Sequence, residues 1–383
     1  MLRPRARMNI LVSAGEASGD RYAAGLVAEL RKRWPDARFF GCAGPRLLAE
    51  GVEPVIRMED LAVVGIFEVI RHIPRIYGKF RELVAAADAR LPDFAILTDA
   101  PDFNMRVAAQ LKRRGIPVVY YVAPQLWAWR SWRVHKLRRS IDLLLPIFPF
   151  EQEWFGSRGV PTSYVGHPLV SEVRTTKSRE EFCHEHGIDS TKLILAVLPG
   201  SRKGEAARNL PDALAAVARL KASEPIEIVL PASSTTGSSF FRQRVSDQSV
   251  HIVEDDTQNA LGLADVALVA SGTATVEAAL LGIPMVVFYR VSRPTWMVGK
   301  LLVNVPFYSM VNLLAGRKVV AELIQGDCNG EQIAAEALKL IQNEERRRQM
   351  KRELEEIRSR LQGSRPAAER AAEAICESFN LVS

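Results

Sequence analysis

Short apolar runs separated by amphipathic stretches give the first half of the chain an alternating pattern. Residues 9–14 form an apolar run that ends at a glycine, and residues 20–34 carry apolar side chains at helical spacing. Further apolar runs lie at 38–42, 94–98, 118–122 and 143–145, with a helical segment near 104–114. Near-continuous apolar strands that alternate with helices are typical of a parallel, doubly wound α/β sheet.

The second half of the chain repeats this alternation. Its apolar runs lie at 193–198, 226–230, 250–253, 265–270 and 285–289, and a helical segment spans 275–281. Gly166 and Pro168, between the two halves, suit a hinge. We therefore predict an α/β chain of two doubly wound, Rossmann-like domains, residues 1–168 and 169–360, that face a central cleft. Ligands of such sheets bind at the carboxyl ends of the strands, so each domain is expected to hold one substrate.

Composition narrows the class of protein. The chain has 383 residues, of which 48% are hydrophobic and 25% are charged, as in globular proteins with a sizeable core. No apolar run approaches the roughly 20 residues that a membrane-spanning helix needs, and the apolar stretch near the N-terminus is too short for a secretory signal. The four cysteines lack metal-binding spacing, which indicates reduced thiols.

Charge is distributed unevenly along the chain. The first 170 residues carry 25 basic and 17 acidic side chains, whereas the remaining residues carry 26 and 27. The basic half is therefore expected to meet an anionic partner, such as a membrane surface, nucleic acid or a phosphorylated substrate.

Two turns in the second half have the character of a diphosphate site. The sequence PGSR (199–202) follows a predicted strand, and its backbone N–H groups and Arg202 can bind a diphosphate. SGTATVEA (271–278) also joins a strand to a helix, and the carboxylate of Glu277 suits the two hydroxyls of a ribose. Each turn alone is also consistent with ordinary helix capping, with Thr273 as the N-cap. Together they predict a site for a diphosphate nucleotide, whose turn residues with hydroxyl or N–H groups are Ser201, Ser271, Gly272 and Thr273.

Acidic residues follow two predicted strands of the first half. GEASGD (15–20) is not the GxGxxG of dinucleotide sites, and the carboxylates of Glu16 and Asp20 suit sugar hydroxyls better than a pyrophosphate. TDAPDFN (98–104) places Asp99 and Asp102 at the carboxyl edge of the sheet. We expect Asp99 to act as general base on a sugar hydroxyl and Asp102 to cap the following helix. Because the metal-binding DxD pattern is absent from this segment, we predict a metal-independent reaction without a cofactor.

Two further segments of the first half combine basic residues with aromatic or apolar ones. Residues 121–139 carry three tryptophans and a basic run, which fits a sugar platform, a membrane interface, single-stranded nucleic acid or plain core packing. Residues 63–80 have a wide apolar stripe with basic side chains, typical of a helix in a membrane interface or of an amphipathic core helix, and Pro74 is expected to distort it. The side chains expected to contact the membrane are Ile66, Phe67, Val69, Ile70, Ile73 and Ile76.

Taken together, the motifs resemble those of the lipid-A-disaccharide synthase family. The segments AGEASGD, AGP, TDAPDFN, YVAPQLWAWR, GHP, LPGSR, ASGTATVEA and NLLAGR occur in that family's order and spacing over nearly the whole chain. The proline that precedes the asparagine of the last motif in the family is Val311 here.

The resemblance implies the GT-B architecture, with an acceptor site in the first domain and a UDP site in the second. It also implies that residues 361–383 return to the first domain or to a partner subunit, and it permits a homodimer. The implied catalytic residue is Asp99. The implied acceptor-binding residues are Glu16, Ser18, Asp20, Asp102 and Asn104, and the implied UDP-binding residues are Ser201, Arg202, Ser271, Gly272, Thr273, Glu277 and Asn312.

The reaction that the resemblance implies is an inverting sugar transfer without a metal ion. The donor would be UDP-2,3-diacylglucosamine and the acceptor 2,3-diacylglucosamine 1-phosphate, joined by a β-1,6 bond. The expected location is cytoplasmic and peripheral, on the anionic inner face of the inner membrane.

Other functions stay open on the residues alone. Another UDP-sugar enzyme, such as a 2-epimerase or a cell-wall N-acetylglucosaminyltransferase, is one alternative, although the apolar stripe at 63–80 speaks against a purely soluble epimerase substrate. A nucleic-acid-binding module centred on 127–139 leaves the two diphosphate turns unexplained, so we predict no nucleic-acid partner. The missing GxGxxG disfavours a dinucleotide-dependent oxidoreductase.

Overall fold

A computed structural model describes residues 7–61, 66–233, 235–303 and 305–381, without the side chains of 66–72, 298 and 301. The chain folds into two compact units. The first comprises Met1–Pro168 and Leu361–Ser383, and the second comprises Leu169–Arg360. Each unit contains a six-stranded parallel sheet flanked by helices, which confirms the predicted α/β class.

The first unit carries its strands in the order β3-β2-β1-β4-β5-β6. This is the Rossmann order, in which the strand sequence reverses between β1 and β4. The strands are β1 (Asn9–Ala14), β2 (Arg38–Ala43), β3 (Glu53–Arg57), β4 (Phe94–Thr98), β5 (Val118–Tyr121) and β6 (Leu143–Leu145). The helices are α1 (Ala17–Arg33), α2 (Pro45–Ala49), α3 (Ile66–Arg90), α4 (Pro101–Arg113), α5 (Val134–Ser140), α6 (Pro149–Gly156) and α17 (Ala367–Phe379).

The second unit repeats this strand order, read as β9-β8-β7-β10-β11-β12. Its strands are β7 (Leu193–Leu198), β8 (Ile226–Ala232), β9 (Val250–Glu254), β10 (Val266–Ala270), β11 (Met285–Tyr289) and β12 (Ala321–Ile324). Its helices up to β10 are α7 (Leu169–Glu172), α8 (Arg179–His186), α9 (Lys203–Ser223), α10 (Ser238–Arg242) and α11 (Thr257–Gly262). The later helices are α12 (Thr273–Leu280), α13 (Arg293–Leu302), α14 (Met310–Ala315), α15 (Gly330–Ile341) and α16 (Glu344–Leu361).

Central strands match the predicted apolar runs because helices cover both faces of each sheet. Every residue of β4, β5 and β10 is buried, as expected of strands that have no solvent-facing side. Sequence periodicity missed β3 and β12, which lie at sheet edges and are only partly buried. Edge strands keep one side near solvent, so they lack the continuous apolar run that marks the central ones.

Three helices begin or continue differently from the prediction. The structure starts α1 at Ala17 and α4 at Pro101, three residues earlier than expected in each case, at 20 and 104. Helix α3 continues through Pro74 to Arg90. Its packing against α4, β2 and β3 offsets the hydrogen bond that the proline removes.

The C-terminal helix α17 packs against α1 and β6 of the first unit, which confirms the predicted return of the chain end. Arg370 of α17 donates a 2.9 Å hydrogen bond to the carbonyl oxygen of Tyr164, and the ring of Phe379 lies 5.7 Å from that of Phe94. Among the described helices, none combines the length and the apolar character that crossing a bilayer requires.

Candidate active site

The first-unit site lies where the neighbouring strands β1 and β4 end. The loops that follow them bring the predicted motifs GEASGD and TDAPDFN together, because the N–H of Gly15 donates a 2.8 Å hydrogen bond to Asp99 Oδ1. Gly19 comes so close that a Cβ at its position would lie 1.6 Å from Asp99 Oδ2. Glycine at position 19 therefore makes the room that the Asp99 carboxyl group occupies.

The surroundings of Asp99 favour its protonated form. Burial, followed by the negative charge of Glu16, raises the pKa of Asp99 well above its usual range, and the N–H groups of Gly15 and Glu16 oppose the rise. Asp99 Oδ2 is buried, and among the described residues it has no hydrogen-bond partner. A carboxyl group with a raised pKa and an unpartnered oxygen is well suited to accept a proton from a bound hydroxyl.

The backbone at Asp99 is held in an uncommon conformation. Asp99 and Ala100 have φ values of 51° and 39°, in the left-handed region that costs free energy for residues with a Cβ. The buried side chain of Asn104 donates from Nδ2 to the carbonyl oxygens of Thr98 (2.9 Å) and Asp99 (3.1 Å). Tyr120 donates its hydroxyl to the Asp99 carbonyl oxygen at 2.6 Å.

Asn104 consequently positions the backbone at Asp99, and this corrects its predicted contact with the acceptor. Its Oδ1 accepts a 2.8 Å hydrogen bond from Ser13 Oγ, so both ends of the amide are engaged by the protein. Because the side chain is fully buried, a sugar bound at the sheet edge does not reach it.

Asp20 is corrected in the same way, since it is buried and holds the start of α2. Its Oδ1 accepts a 2.8 Å hydrogen bond from the N–H of Gly44, and its Oδ2 accepts one of 2.8 Å from the N–H of Arg46. Of the other predicted acceptor residues in this loop, Glu16 is exposed and Ser18 is half-buried. These two remain accessible to a sugar.

Asp102 is exposed in the first turn of α4 but does not cap it, contrary to the prediction. The N-cap is Ala100, without a side-chain cap among the described residues. Instead, Asp102 Oδ1 accepts hydrogen bonds from Arg133 Nη1 at 2.7 Å and from Arg130 Nη1 at 3.3 Å. The carboxylate thus ties the tryptophan-rich segment to the helix that follows Asp99.

The tryptophan-rich segment is anchored a second time at Trp127. Its indole N–H donates a 3.0 Å hydrogen bond to Glu151 Oε1. Glu151 is buried at the start of α6, and burial raises its pKa to about 8, while the hydrogen bonds from Trp127 and from the N–H of Phe148 oppose the rise. Trp127 packs edge-on against Phe150, with ring centroids 4.9 Å apart.

In the second unit, the turn after β7 requires glycine at position 200. Gly200 has a φ of 138°, and a Cβ there would lie 2.5 Å from Glu205 Cγ. The N–H of Ser201 donates a 3.2 Å hydrogen bond to Glu205 Oε2. Burial raises the pKa of Glu205, and the positive charge of Arg202 opposes the rise. Ser201 and Arg202 are exposed at the start of α9, where the helix dipole favours an anion.

The second turn lies at the start of α12. Gly272, and not Thr273, is the N-cap, and among the described residues it has no side-chain cap. Gly272 and Thr273 are exposed, Glu277 is half-buried, and Ser271 Oγ donates a 3.2 Å hydrogen bond to the carbonyl oxygen of Tyr308. This helix start favours a negatively charged group.

Asn312 is fully buried, so its predicted direct contact with UDP is corrected to a positioning role. Nδ2 donates to Val320 O (3.0 Å) and Glu322 Oε1 (2.8 Å), and Oδ1 accepts from two backbone N–H groups at 2.7 and 3.0 Å. Glu322 in turn accepts from the N–H groups of Tyr308 (3.0 Å) and Ser309 (2.9 Å). The asparagine therefore supports the segment that meets Ser271.

The predicted membrane-contacting set is only partly within the described side chains. Ile73 is 53% exposed, and its neighbour Tyr77 is 56% exposed. Ile76 is half-buried and packs against the hydrophobic core of the first unit, so it is less available to a membrane than Ile73. The side chains of the remaining members, Ile66, Phe67, Val69 and Ile70, lie outside the described residues.

Among the described residues, one group brings metal-binding side chains together: Glu185, His186 and Asp256. Lys177 Nζ lies 2.6 Å from Glu185 Oε2 and 2.7 Å from Asp256 Oδ2. The single ammonium group pairs with both carboxylates and offsets part of their negative charge, so ion pairing accounts for their close approach.

Several supporting residues escaped sequence reasoning. Tyr120, Glu205 and Glu322 hold the site turns through hydrogen bonds to backbone groups. Asn209 of α9 donates a 3.0 Å hydrogen bond to the Pro199 carbonyl oxygen, much as Asn104 does in the first unit. For Glu205 and Asn209 of α9, the available signal was a glutamate or asparagine one or two helical turns after a strand-to-helix turn. Tyr120 and Glu322 lie in strands and carry no such signal.

Comparisons with known proteins agree on one family. A family model described as lipid-A-disaccharide synthetase matches residues 10–379. The chain is 54% identical over 368 residues to a lipid-A-disaccharide synthase of Solibacter usitatus, covering 96% of this chain and 97% of that protein. It is 46% identical over 371 residues to a lipid-A-disaccharide synthase of Myxococcus xanthus, with coverage of 96% and 97%.

Solved structures support the fold. The UDP-GlcNAc 2-epimerase from Neisseria meningitidis bound to UDP-GlcNAc aligns with a TM-score of 0.65 at 14% identity, covering 97% of this chain and 100% of that chain. The calicheamicin glycosyltransferase CalG4 aligns with a TM-score of 0.62 at 16% identity, covering 99% and 100%. At these identities the likeness concerns the fold alone, which is the GT-B fold of glycosyltransferases and epimerases.

Proposed function

This chain belongs to the lipid-A-disaccharide synthase family of UDP-sugar glycosyltransferases, and we propose that it joins two acylated glucosamines in lipid A biosynthesis. Membership implies a UDP-sugar donor and a lipid acceptor. The proposed donor is UDP-2,3-diacylglucosamine, and the proposed acceptor is 2,3-diacylglucosamine 1-phosphate. The new bond joins C1 of the donor sugar to the 6-oxygen of the acceptor in the β configuration.

The surroundings of Asp99 are the observation that carries this proposal. Asp99 Oδ2 takes the proton of the acceptor's 6-hydroxyl, and its raised pKa makes that transfer favourable. The acceptor oxygen forms a bond to the donor's C1 as the bond from C1 to the diphosphate breaks on the opposite face. A single displacement of this kind inverts C1.

The second unit stabilises the leaving group. Negative charge grows on the diphosphate as its bond to C1 breaks, and the exposed Arg202 and the helix starts at 203 and 273 bring positive charge to it. Glu277 is proposed to hold the ribose hydroxyls. Ser201, Ser271, Gly272 and Thr273 are proposed to supply the remaining hydroxyl and N–H donors.

Replacing Asp99 by alanine separates the chemistry from nucleotide binding. Loss of a general base typically costs about 10² to 10⁴ in rate, so we expect kcat to fall by that factor while the affinity for UDP, held by the other unit, stays unchanged. Asp99→Asn is the matched variant that keeps the shape and removes the base. Near-normal turnover by either variant would remove Asp99 from this role.

We further propose that the protein acts peripherally on the anionic, cytoplasmic face of the inner membrane. The exposed Ile73 and Tyr77 would insert into the membrane. Arg75 lies between them and pairs with Asp60 at 2.8 Å, and its remaining N–H groups would meet lipid phosphates. Ile73→Ser with Tyr77→Ser should weaken co-sedimentation with anionic vesicles. Leu91→Ser, at an equally exposed apolar residue beyond α3, serves as control. Unchanged vesicle binding by the double variant would refute the role of this helix face. That the protein forms a homodimer stays a prediction.

A further inference from the structure

The segment after β5 brings two guanidinium groups onto one carboxylate. Arg133 Nη1 lies 2.7 Å from Asp102 Oδ1, and Arg130 Nη1 lies 3.3 Å from the same oxygen. The side chain of Arg133 is 16% exposed and that of Arg130 is 32% exposed, so both reach solvent from a partly enclosed position.

The charges of this group do not balance. Two guanidinium groups face one carboxylate, which leaves one positive charge uncompensated within the cluster. Each guanidinium group has five N–H donors. Within the described part of the chain, each of the two groups uses only its Nη1 in hydrogen bonds, and the acceptor is Asp102. The remaining donors form two planar forks, the geometry that binds phosphate oxygens in pairs.

The protein holds these groups in place at a cost. Arg130 has a φ of 59°, in the left-handed region, and such strain persists where the surrounding structure and function require it. Its guanidinium lies 4.0 Å from the centre of the Trp129 ring, a cation–π contact that fixes its direction. A solvated surface arginine needs neither feature.

The two arginines lie close to the proposed base. Asp102, their shared partner, stands three residues after Asp99 and in the first turn of α4, a 13-residue helix whose start adds partial positive charge. Burial raises the pKa of Tyr120, whose hydroxyl donates to the Asp99 carbonyl oxygen, and the positive charge of Arg133 opposes the rise. An acceptor whose hydroxyl meets Asp99 therefore has this cluster beside it.

We propose that Arg130 and Arg133 bind the anionic phosphate at C1 of the acceptor sugar, with Asp102 positioning both guanidinium groups. This inference rests on the proposed function, in which the acceptor is a sugar 1-phosphate. The phosphate is on C1 and the reacting hydroxyl is on C6, which extends from C5 across the ring oxygen from C1, so the two groups have a fixed separation. Gripping the phosphate thus orients the 6-hydroxyl toward Asp99 and selects phosphorylated acceptors.

The test compares two acceptors, the diacylglucosamine 1-phosphate and the same sugar with a free 1-hydroxyl. A charge-assisted hydrogen bond lost in Arg133→Ala should lower kcat/KM for the phosphorylated acceptor about 10- to 100-fold, mainly through KM. The rate with the unphosphorylated acceptor should fall much less, because a hydroxyl on C1 cannot engage the guanidinium group as a phosphate does. Arg130→Ala should act in the same direction, and Arg133→Lys should recover part of the loss.

Arg139→Ala is the matched control, an exposed basic residue on α5. UDP affinity and thermal unfolding report on the folding of each variant. If Arg133→Ala is unstable, the comparison of the two acceptors is made with Arg130→Ala instead. An equal loss on both acceptors, or an equal loss in Arg139→Ala, would overturn the inference. Equal use of both acceptors by the wild-type protein would overturn it too, whereas disaccharide from neither acceptor would instead overturn the proposed function.

Discussion

Replacing Asn104 by alanine should loosen the turn that carries Asp99. The side chain is fully buried, and it binds the carbonyl oxygens of Thr98 and Asp99 and the hydroxyl of Ser13. The Asp99 carbonyl oxygen keeps its hydrogen bond from Tyr120 in the variant. The two buried polar groups that lose a partner are then the Thr98 carbonyl oxygen and the Ser13 hydroxyl.

Each buried polar group left without a partner costs about 1–3 kcal/mol, so the first unit should lose roughly 2–6 kcal/mol of its free energy of unfolding. Without Asn104, the left-handed backbone at Asp99 and Ala100 loses the hydrogen bonds from that side chain that help offset its strain, and the bond from Tyr120 remains. The base then drifts from the acceptor hydroxyl, and we expect kcat to fall by on the order of 10² with UDP affinity unchanged.

Asn209→Ala is the matched control in the second unit. Asn209 is also fully buried, and it binds the carbonyl oxygen of Pro199 (3.0 Å) and the N–H of Arg290 (2.9 Å). Hydrogen exchange at β4 and β7, followed through a urea titration, measures the free energy of unfolding of each unit separately. We expect Asn104→Ala to destabilise β4 alone and Asn209→Ala to destabilise β7 and weaken UDP binding. An Asn104→Ala protein within about 0.5 kcal/mol of wild type, with normal kcat, would refute the reasoning.

Two other changes test the charges and the shape of the site. Glu16→Gln removes a negative charge that raises the pKa of Asp99. Because the proposed base acts only when ionised, the rate is lost as pH falls through that pKa, so the acid limb of the kcat/KM profile should move to lower pH. An unmoved acid limb would contradict the role assigned to the Glu16 charge. Gly200→Ala should weaken UDP binding about tenfold, because its Cβ would displace Glu205 from the turn. Gly282→Ala also falls at a positive φ, of 69°, but no atom lies within 4 Å of the new Cβ, so this variant should bind UDP normally. Equal UDP affinities of both variants and wild type would count against the role of the turn at Gly200.

Sequence patterns predicted the central strands and the turns that follow them. Runs such as 94–98 and 193–198 are apolar because helices cover both faces of the sheet. Burial on both faces therefore appears in the sequence as an uninterrupted run of apolar residues. Glycine followed by an acidic or hydroxyl residue marked the strand-to-helix turns. Both kinds of signal depend only on neighbouring residues, so they can be recognised from the sequence alone.

The roles of individual polar residues were harder to predict because their partners are distant in sequence. Asp20 binds the N–H of Gly44, which is 24 residues away, and Asp102 binds Arg133, which is 31 residues away. An exposed carboxylate and a buried one look the same in sequence. Buried asparagines such as Asn312 likewise resemble ligand-binding ones until their hydrogen bonds are seen.

The most direct test of the central claim is the product itself. Purified protein is incubated with UDP-2,3-diacylglucosamine and 2,3-diacylglucosamine 1-phosphate, and mass spectrometry and NMR identify what forms. We predict a β-1,6-linked disaccharide 1-phosphate and one UDP per disaccharide. Folded protein that gives no disaccharide, or that gives an α-linked one, would contradict the proposed single displacement with Asp99 as base.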